Sequence, residues 1–546
     1  MANSSAPRRA PSYTSTVSGD IPRFVTFTSP VRPSQAASLP LNIIARIAGF
    51  LDDPADIARL TRTSRLLYYM CLPQLYEKVN LHSYPEVRYT NGKPEGFGSG
   101  SPFIMGLNGL VTRSHAGLVQ DFRVWGQWNE AGVEDFAKGR VPDNSMMLNI
   151  LLRAAIDRMT KLQTFSWELD CKPLKTMYQG LGAHATLTSL TIKFPKSRSP
   201  RPTVIIPPMA NLRVFKALDI DPLCYPDDIS VMLLHSRKLE DLRLHFVPRI
   251  RQQAESLLNL TTYFGRCATA GHKLPLKHFA LQNFYGPNDQ MVDFMLNEKT
   301  CKSVSMLDAF GGMSGGPMNK FYDDTWKQIP QDVKAFWPIS RCNEPAEQHV
   351  RMLTNATSHE QFYVVSSRVA KAASSPTSTP SAPHTPAKTP TLPSPDVVEL
   401  GKQYLNVLGS HHGKTLRNLL LSDQWILGGD EIKTLVQQCQ HLEQLGLAVE
   451  GAELRPSLSL ILASLPKLRA LRILNGEVVE QAAGQLGITQ RDIGHLVEKV
   501  GAKQFRYLGL GDRVFEISLV DDVQHVEIWG LDYLDISVDP VAPFSP

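Results

Sequence analysis

Apolar residues recur along this chain in one short order: a Leu, two variable positions, a Leu or aromatic, one variable position and a further apolar residue. The order appears as Leu162-Gln-Thr-Phe165-Ser-Trp167, Leu187-Thr-Ser-Leu190-Thr-Ile192, Leu212-Arg-Val-Phe215, Leu239-Glu-Asp-Leu242-Arg-Leu244 and Leu276-Lys-His-Phe279-Ala-Leu281. Further copies start at Cys301, Leu416, Leu442, Leu468 and Phe505. Successive starts lie 25, 25, 27 and 37 residues apart from Leu162 to Leu276, and 26, 26 and 37 apart from Leu416 to Phe505. The last two apolar positions are two residues apart, which is strand alternation, and the first packs the turn that leads in. Roughly twenty residues remain between signatures, enough for a turn, a helix of about three turns and a return. The pattern therefore predicts an α/β chain of stacked β-α units, each unable to bury its apolar face alone.

The same pattern marks where the regularity fails. Val119-Gln-Asp-Phe122-Arg-Val124-Trp125 reads as a divergent first unit, and the two long steps contain helical inserts over Arg251 to Phe264 and Val478 to Lys499. Gly96-Phe-Gly98-Ser-Gly100 reads as a loop. Ahead of the units, Leu39-Pro40 is followed by Ile43, Ile44, Ile47, Phe50 and Leu51 at helical spacing, with Pro suited to a helix start. Asp53-Pro54-Ala-Asp56 then gives a cap, a Pro at the first helical position and an acidic first turn, and Ile57, Leu60, Ser64, Leu67 and Tyr68 continue a mostly apolar face. Three short helices are expected there. Residues 1–36 and 366–396 are rich in Ser, Thr and Pro and cannot bury enough surface to offset their ordering entropy, so both are expected to be disordered.

Composition narrows the class. The chain has 546 residues, 42% of them apolar and 20% charged, which is ordinary globular sequence, and the length exceeds one compact core unless the units stack as a solenoid. The net charge of +5 comes with no Lys/Arg stripe interleaved with aromatics, so nucleic acid is not expected as a partner. The seven cysteines are scattered without a C-x-x-C pair, which argues against a zinc module or disulfide framework and for a reducing compartment. Neither an apolar leader region nor a stretch of 18 apolar residues occurs, so no membrane association and a cytoplasmic or nuclear location are expected.

Candidate chemistry is sparse. Gly409-Ser-His-His-Gly413-Lys414-Thr415 has three residues between its glycines where a phosphate loop needs four, and a strand is expected where the helix should follow. Gly312-Met-Ser314-Gly-Gly316 fits a nucleophile elbow by letter, but nearby glycines make the match cheap and it reads as a loop. His411 and His412, adjacent on an expected extended segment, point to opposite sides and read as solvated. Trp167 falls on an inward apolar position. Trp425 and Trp529 fall near strand ends, where aromatics are candidate anchors of a substrate face. The second disordered segment carries five Ser/Thr-Pro dipeptides, making Ser375, Thr379, Thr385, Thr389 and Ser394 candidate phosphorylation sites. No cofactor or metal is expected, and no catalytic residue stands out.

Two resemblances give these segments a name. The units resemble the 26-residue leucine-rich repeats of F-box proteins, and Cys439-Gln-His-Leu442-Glu-Gln-Leu445-Gly-Leu447 matches that repeat in full. Leu39, Pro40, Ile43, Ile44, Ile47, Leu51, Asp53-Pro54, Ile57, Leu60 and Leu75-Tyr76 resemble an F-box. The match departs at Asn42, where an acidic residue is usual, at Thr63-Ser64-Arg65, and at Leu67, often a Trp. The resemblance implies a tail at 1–36, an F-box at 37–81, leucine-rich repeats at 82–365, a loop at 366–396, and further repeats with a C-terminal cap at 397–546. It also implies a non-catalytic substrate adaptor of a Skp/cullin/F-box ubiquitin ligase. Leu39, Pro40, Ile43, Ile47, Leu51, Ile57 and Leu60 would bind the Skp-type linker, and the repeats a protein substrate. A non-degradative repeat scaffold, its three helices serving as a cap, is the alternative.

Overall fold

The computed structural model describes residues 40–90, 92–94, 101–128, 132–195, 204–221, 229–248, 259–284, 295–307, 336–343, 345, 347–356, 358–364, 395–475, 490–502, 504–510, 513–520 and 523–529. It divides into two compact units, Met1–Cys71 and Leu72–Pro546.

In the first unit, α1 (Leu41–Ala48) follows Pro40, and α2 (Pro54–Leu60) opens on Asp53, whose carboxylate accepts the Ala55 N–H at 2.9 Å. That is the cap expected of Asp-Pro. A third helix, α3 (Arg65–Glu77), of which Arg65–Cys71 belong to this unit, starts at Ser64, whose hydroxyl accepts the Leu67 N–H at 3.1 Å. Ala48, Ile57 and Cys71 are buried.

The second unit is α/β, built on one mostly parallel, open, 17-stranded sheet. Its strands are β1 (Lys78–Ser83), β2 (Asp121–Gly126), β3 (Thr164–Leu169), β4 (Ser189–Lys193), β5 (Val214–Ile220), β6 (Asp241–Phe246), β7 (His278–Gln282), β8 (Ser303–Leu307), β9 (Ile339–Cys342), β10 (Gln361–Val364), β11 (Asn418–Leu420), β12 (Ile426–Leu427), β13 (Gln444–Val449), β14 (Ala470–Ile473), β15 (Tyr507–Leu510), β16 (Arg513–Val520) and β17 (Val523–Trp529). From β1 to β15 every pairing is parallel and joins neighbours in the chain, except that β11 pairs β13 and the two-residue β12 lies beside β13's far end. The last two strands turn back antiparallel on β15. Parallel neighbours need a crossover, and at most steps a helix among the described residues supplies it: α4 (Pro102–Thr112), α5 (Asp143–Arg158), α6 (Lys175–Ala183), α7 (Ser230–His235), α8 (Thr261–Thr269), α9 (Glu347–Thr354), α10 (Pro395–Val407), α11 (Gly429–Gln438), α12 (Leu454–Ser464) and α13 (Gln490–Val500).

The recurring apolar letters are a register. Val79, Phe122, Phe165, Leu190, Phe215, Leu242, Phe279, Val304, Ser340, Phe362, Leu419, Leu445, Leu471 and Leu508 are direct partners, strand to strand. This row and the one two residues on pack, with the inner faces of the helices, into one continuous core. The opposite rows form the polar face of the sheet.

Among the strands with no counterpart in the sequence reading, β1, β9 and β10 belong to the main ladder. β1 begins inside the stretch assigned to the three-helix segment, because Tyr76, Val79 and Leu81 fill the places of a unit's apolar triplet. β9 and β10 stand between the unit at Cys301 and the one at Leu416, inside the block assigned to repeats but where no copy of the apolar order is identified. Trp337 and His359 occupy their leading Leu positions, and Ser340 is the one polar residue in the apolar row. Most of these buried polar atoms are paired, His359 Nδ1 being the exception. The Trp337 indole N–H donates to Ser340 Oγ at 2.8 Å, and the same hydroxyl meets His359 Nε2 at 2.8 Å. The His359 backbone N–H donates to His412 Nδ1 at 3.2 Å, and His412 Nε2 donates to the Leu353 carbonyl at 2.9 Å. His412 is therefore a buried, neutral core residue and not a solvated one, held by a π-helical turn over Leu408–His412. β10 and β11 pair directly although residues 365–394 separate them, so the ladder continues across that segment.

Candidate functional site

Two surfaces present groups that a partner could use, one in each unit. In the first unit the apolar stripe of α1 lies open. Ile43, Ile47 and Phe50 follow one another at i, i+4 and i+7 and are 39%, 54% and 76% exposed, with Leu41 at 56% beside them. Leu66 and Tyr69 on α3 are also exposed. Of the residues assigned to linker binding, Pro40, Ile43 and Ile47 are exposed, Leu51 and Leu60 are half-buried, and Leu39 lies outside the described residues. Ile57 is 4% exposed: it faces inward, so its side chain is part of the unit's interior and not of its surface. Phe50, a periodic apolar position outside the set assigned to linker binding, is the most exposed of the group.

In the second unit the polar face of the sheet divides by charge. Strands β2 to β6 carry carboxylates and cations in pairs. Arg123 grips Glu168 through Nε at 3.0 Å and Nη2 at 2.8 Å, Lys193 meets Asp170 at 3.0 Å, and Arg243 binds Asp241 through the same two nitrogens, closest at 2.7 Å. Lys216 stands between Thr191 and Arg243 in the row, and burial, then the Arg243 charge, lowers its pKa. His82 stacks on Trp125 with ring centroids 3.5 Å apart, and the Arg123 guanidinium lies over Trp125 at 5.0 Å.

From β7 to β15 no strand contains an Asp or Glu. Here the middle row runs Ala280, Ser305, Arg341, Tyr363, Leu420, Gly446, Arg472 and Gly509 in direct register. Tyr363, Leu420 and Ala470 form a separate apolar cluster with Ile339, Leu474 and Tyr507 packed on it. Arg341 stands at the edge of this floor, 5.3 Å from the Tyr363 ring centroid, and its Nη1 donates to Ser303 Oγ at 2.8 Å. Its Nε is screened from solvent and has no acceptor, and burial lowers the guanidinium's pKa. No carboxylate pairs with Arg341 among the described residues. Beside it, Gln361, Asn418 and Gln444 are direct partners on successive strands. Gln361 and Asn418 brace the Tyr363 hydroxyl at 3.0 and 3.3 Å, while Gln444 Oε1 is buried without a donor.

Trp425 is not part of this surface. It is 2% exposed, its ring lies 5.0 Å from that of Tyr404, and Gly401 on α10 leaves the slot that the indole fills. A Cβ at Gly401 would stand 2.8 Å from that ring, a signal that the glycine's place three residues before a buried Tyr did not disclose. Trp167 is in the core, its N–H on the Cys171 carbonyl at 2.7 Å. Trp529 ends β17, and its side chain lies outside the described residues, as do Ser314, Ser375, Thr379, Thr385, Thr389 and Ser394. The Gly409 to Gly413 segment forms the π-helical turn after α10 and precedes a strand, which is not the geometry of a phosphate loop. Among the described residues no group of three His, Cys, Asp or Glu side chains is placed to hold a metal ion, and no helix is long and apolar enough to cross a membrane.

Neither a protein-family model nor a curated protein sequence matches the chain.

Proposed function

We propose that this chain is a substrate-recognition adaptor of a Skp/cullin/F-box type ubiquitin ligase: an F-box over residues 37–81 holds the Skp-type linker, and a leucine-rich-repeat solenoid holds the protein substrate. The observation that carries the reading is the uncovered stripe of Ile43 and Ile47 on α1 with Phe50 in the turn after it, which a free-standing cap would turn inward. The parallel β-α ladder of the second unit supports a repeat surface for protein binding. Such an adaptor needs no catalytic group of its own. It raises the effective concentration of substrate lysines near a charged conjugating enzyme.

Co-expression with a Skp-type linker tests the proposal. Full-length chain should co-purify with the linker, and Ile43→Asp with Ile47→Asp should abolish this while leaving the circular dichroism spectrum unchanged. Retention of the linker by the double variant would exclude this face as the interface. Absence of linker binding by the unaltered chain would leave the non-degradative scaffold as the better reading.

A further inference from the structure

We propose that the acid-free half of the polar face, β7 to β15, binds an extended peptide segment of alternating acidic and apolar residues, with Arg341 as the residue that receives a carboxylate. In the adaptor reading this is the face that holds the substrate, and the inference rests on that reading for its biological role only.

The argument begins with electrostatic imbalance. A cation taken partly out of water is costly unless a counter-charge comes with it. On β2 to β6 the chain meets that cost itself, with Arg123–Glu168, Lys193–Asp170 and Arg243–Asp241. On β7 to β15 it does not: Arg341 is desolvated, anchored to a neutral hydroxyl and left with an unaccepted N–H. The Arg243 charge acts on it as well, but Arg243 is itself held by Asp241, and burial keeps the neighbouring His278 toward its neutral form. The nearest strand-flanking carboxylates, Glu360 and Glu443, sit on the rim one residue before β10 and β13, and Glu443 already faces Arg417 at 3.8 Å.

Shape agrees with charge. The floor beside Arg341 is apolar over Tyr363, Leu420 and Ala470, which pack side by side at 4%, 7% and 3% exposure, and Gly446 in the same row carries no side chain. The Gln361–Asn418–Gln444 row runs along the floor and offers amide donors and acceptors to an extended backbone, with Gln444 Oε1 still lacking a donor. A single guanidinium suits a monoanionic carboxylate, whereas a dianionic phosphate calls for two or more converging cations.

Fluorescence anisotropy on the full-length chain would use three labelled probes of about twelve residues, alternating Val with Glu, Gln or phosphoserine. The Glu probe should bind at least about tenfold tighter than the Gln probe at low salt, and the difference should collapse at ~0.5 M salt. Arg341→Gln should erase the preference, while Arg351→Gln, which removes an exposed cation from α9, should leave it intact. If Arg341→Gln does not fold, Arg341→Lys is read in its place and should reduce the preference at least about threefold, since the planar donors are lost. Equal binding of the Glu and Gln probes, or a preference that survives substitution of Arg341, overturns the proposal. A phosphoserine probe bound tenfold tighter than the Glu probe overturns the carboxylate assignment. Linker capture is independent of these readings, so a chain that fails to bind the linker yet discriminates the probes refutes the adaptor role and not this surface.

Discussion

Single residues carry the departures from the pattern. Ser340 holds two buried partners, the Trp337 indole and the His359 imidazole, inside an otherwise apolar row. Ser340→Ala orphans both, and a buried polar group without a partner costs about 1–3 kcal/mol. Urea denaturation should show that loss as a lower midpoint at unchanged slope, and an unchanged midpoint would mean that the hydroxyl is dispensable. Burial holds His349 at about 3, and burial with the neighbouring His412 holds His359 at about 3, against 6.5 for a free imidazole. The unfolded chain therefore takes up protons below pH 6.5 that the folded chain refuses. Stability from these neutral imidazoles is complete above pH 6.5 and falls as the pH drops through the window from 6.5 toward 3, by about 1.4 kcal/mol per pH unit for each histidine. A thermal melting temperature that stays level between pH 7 and pH 5 would contradict the buried neutral assignment.

At the scale of elements, legibility followed how far a unit kept its letters. The strands starting after Leu162, Leu187, Leu212, Leu239, Leu276, Leu416, Leu442 and Leu468 were readable because a Leu led each one. β1, β9 and β10 were not, since Tyr76, Trp337 and His359 hold the same place by shape and hydrogen bonding where no Leu stands to mark it. The exposed stripe of α1 was readable from its spacing, whereas the inward turn of Ile57 was not, because a short helix with apolar residues on several sides does not declare which side is covered. Caps were the most legible local feature. Asp53→Ala should cost α2 about 1 kcal/mol and raise the rate of limited proteolysis within residues 40–71 roughly fivefold, with Asp53→Ser close to the parent. Equal cleavage of all three would show that the cap does not limit local opening. The charge division of the polar face was in the letters too, but only register shows that Arg341 has no carboxylate across from it.

For the whole molecule, the ladder matters more than the spacing between its rungs. β10 and β11 are neighbours with residues 365–394 between them, so replacing 365–394 by a short Gly/Ser linker should leave the melting temperature within about 2 °C of the parent, loop length entering the free energy only logarithmically. A large drop would show that this segment contributes to the folded core. The same near-equivalence of rungs raises a problem of identity. Units that all present a Leu or Phe to the next are interchangeable, and a folding chain could stack the wrong pair with little penalty. The hydroxyl and imidazole shared by β9 and β10 remove that freedom at one step: His359 seated against Val304 or Phe279 would lose its partner, and Ser340 beneath any other strand would lose the imidazole as well. The buried pair thus works as an address, telling the chain which rung is which and setting the count on either side of it.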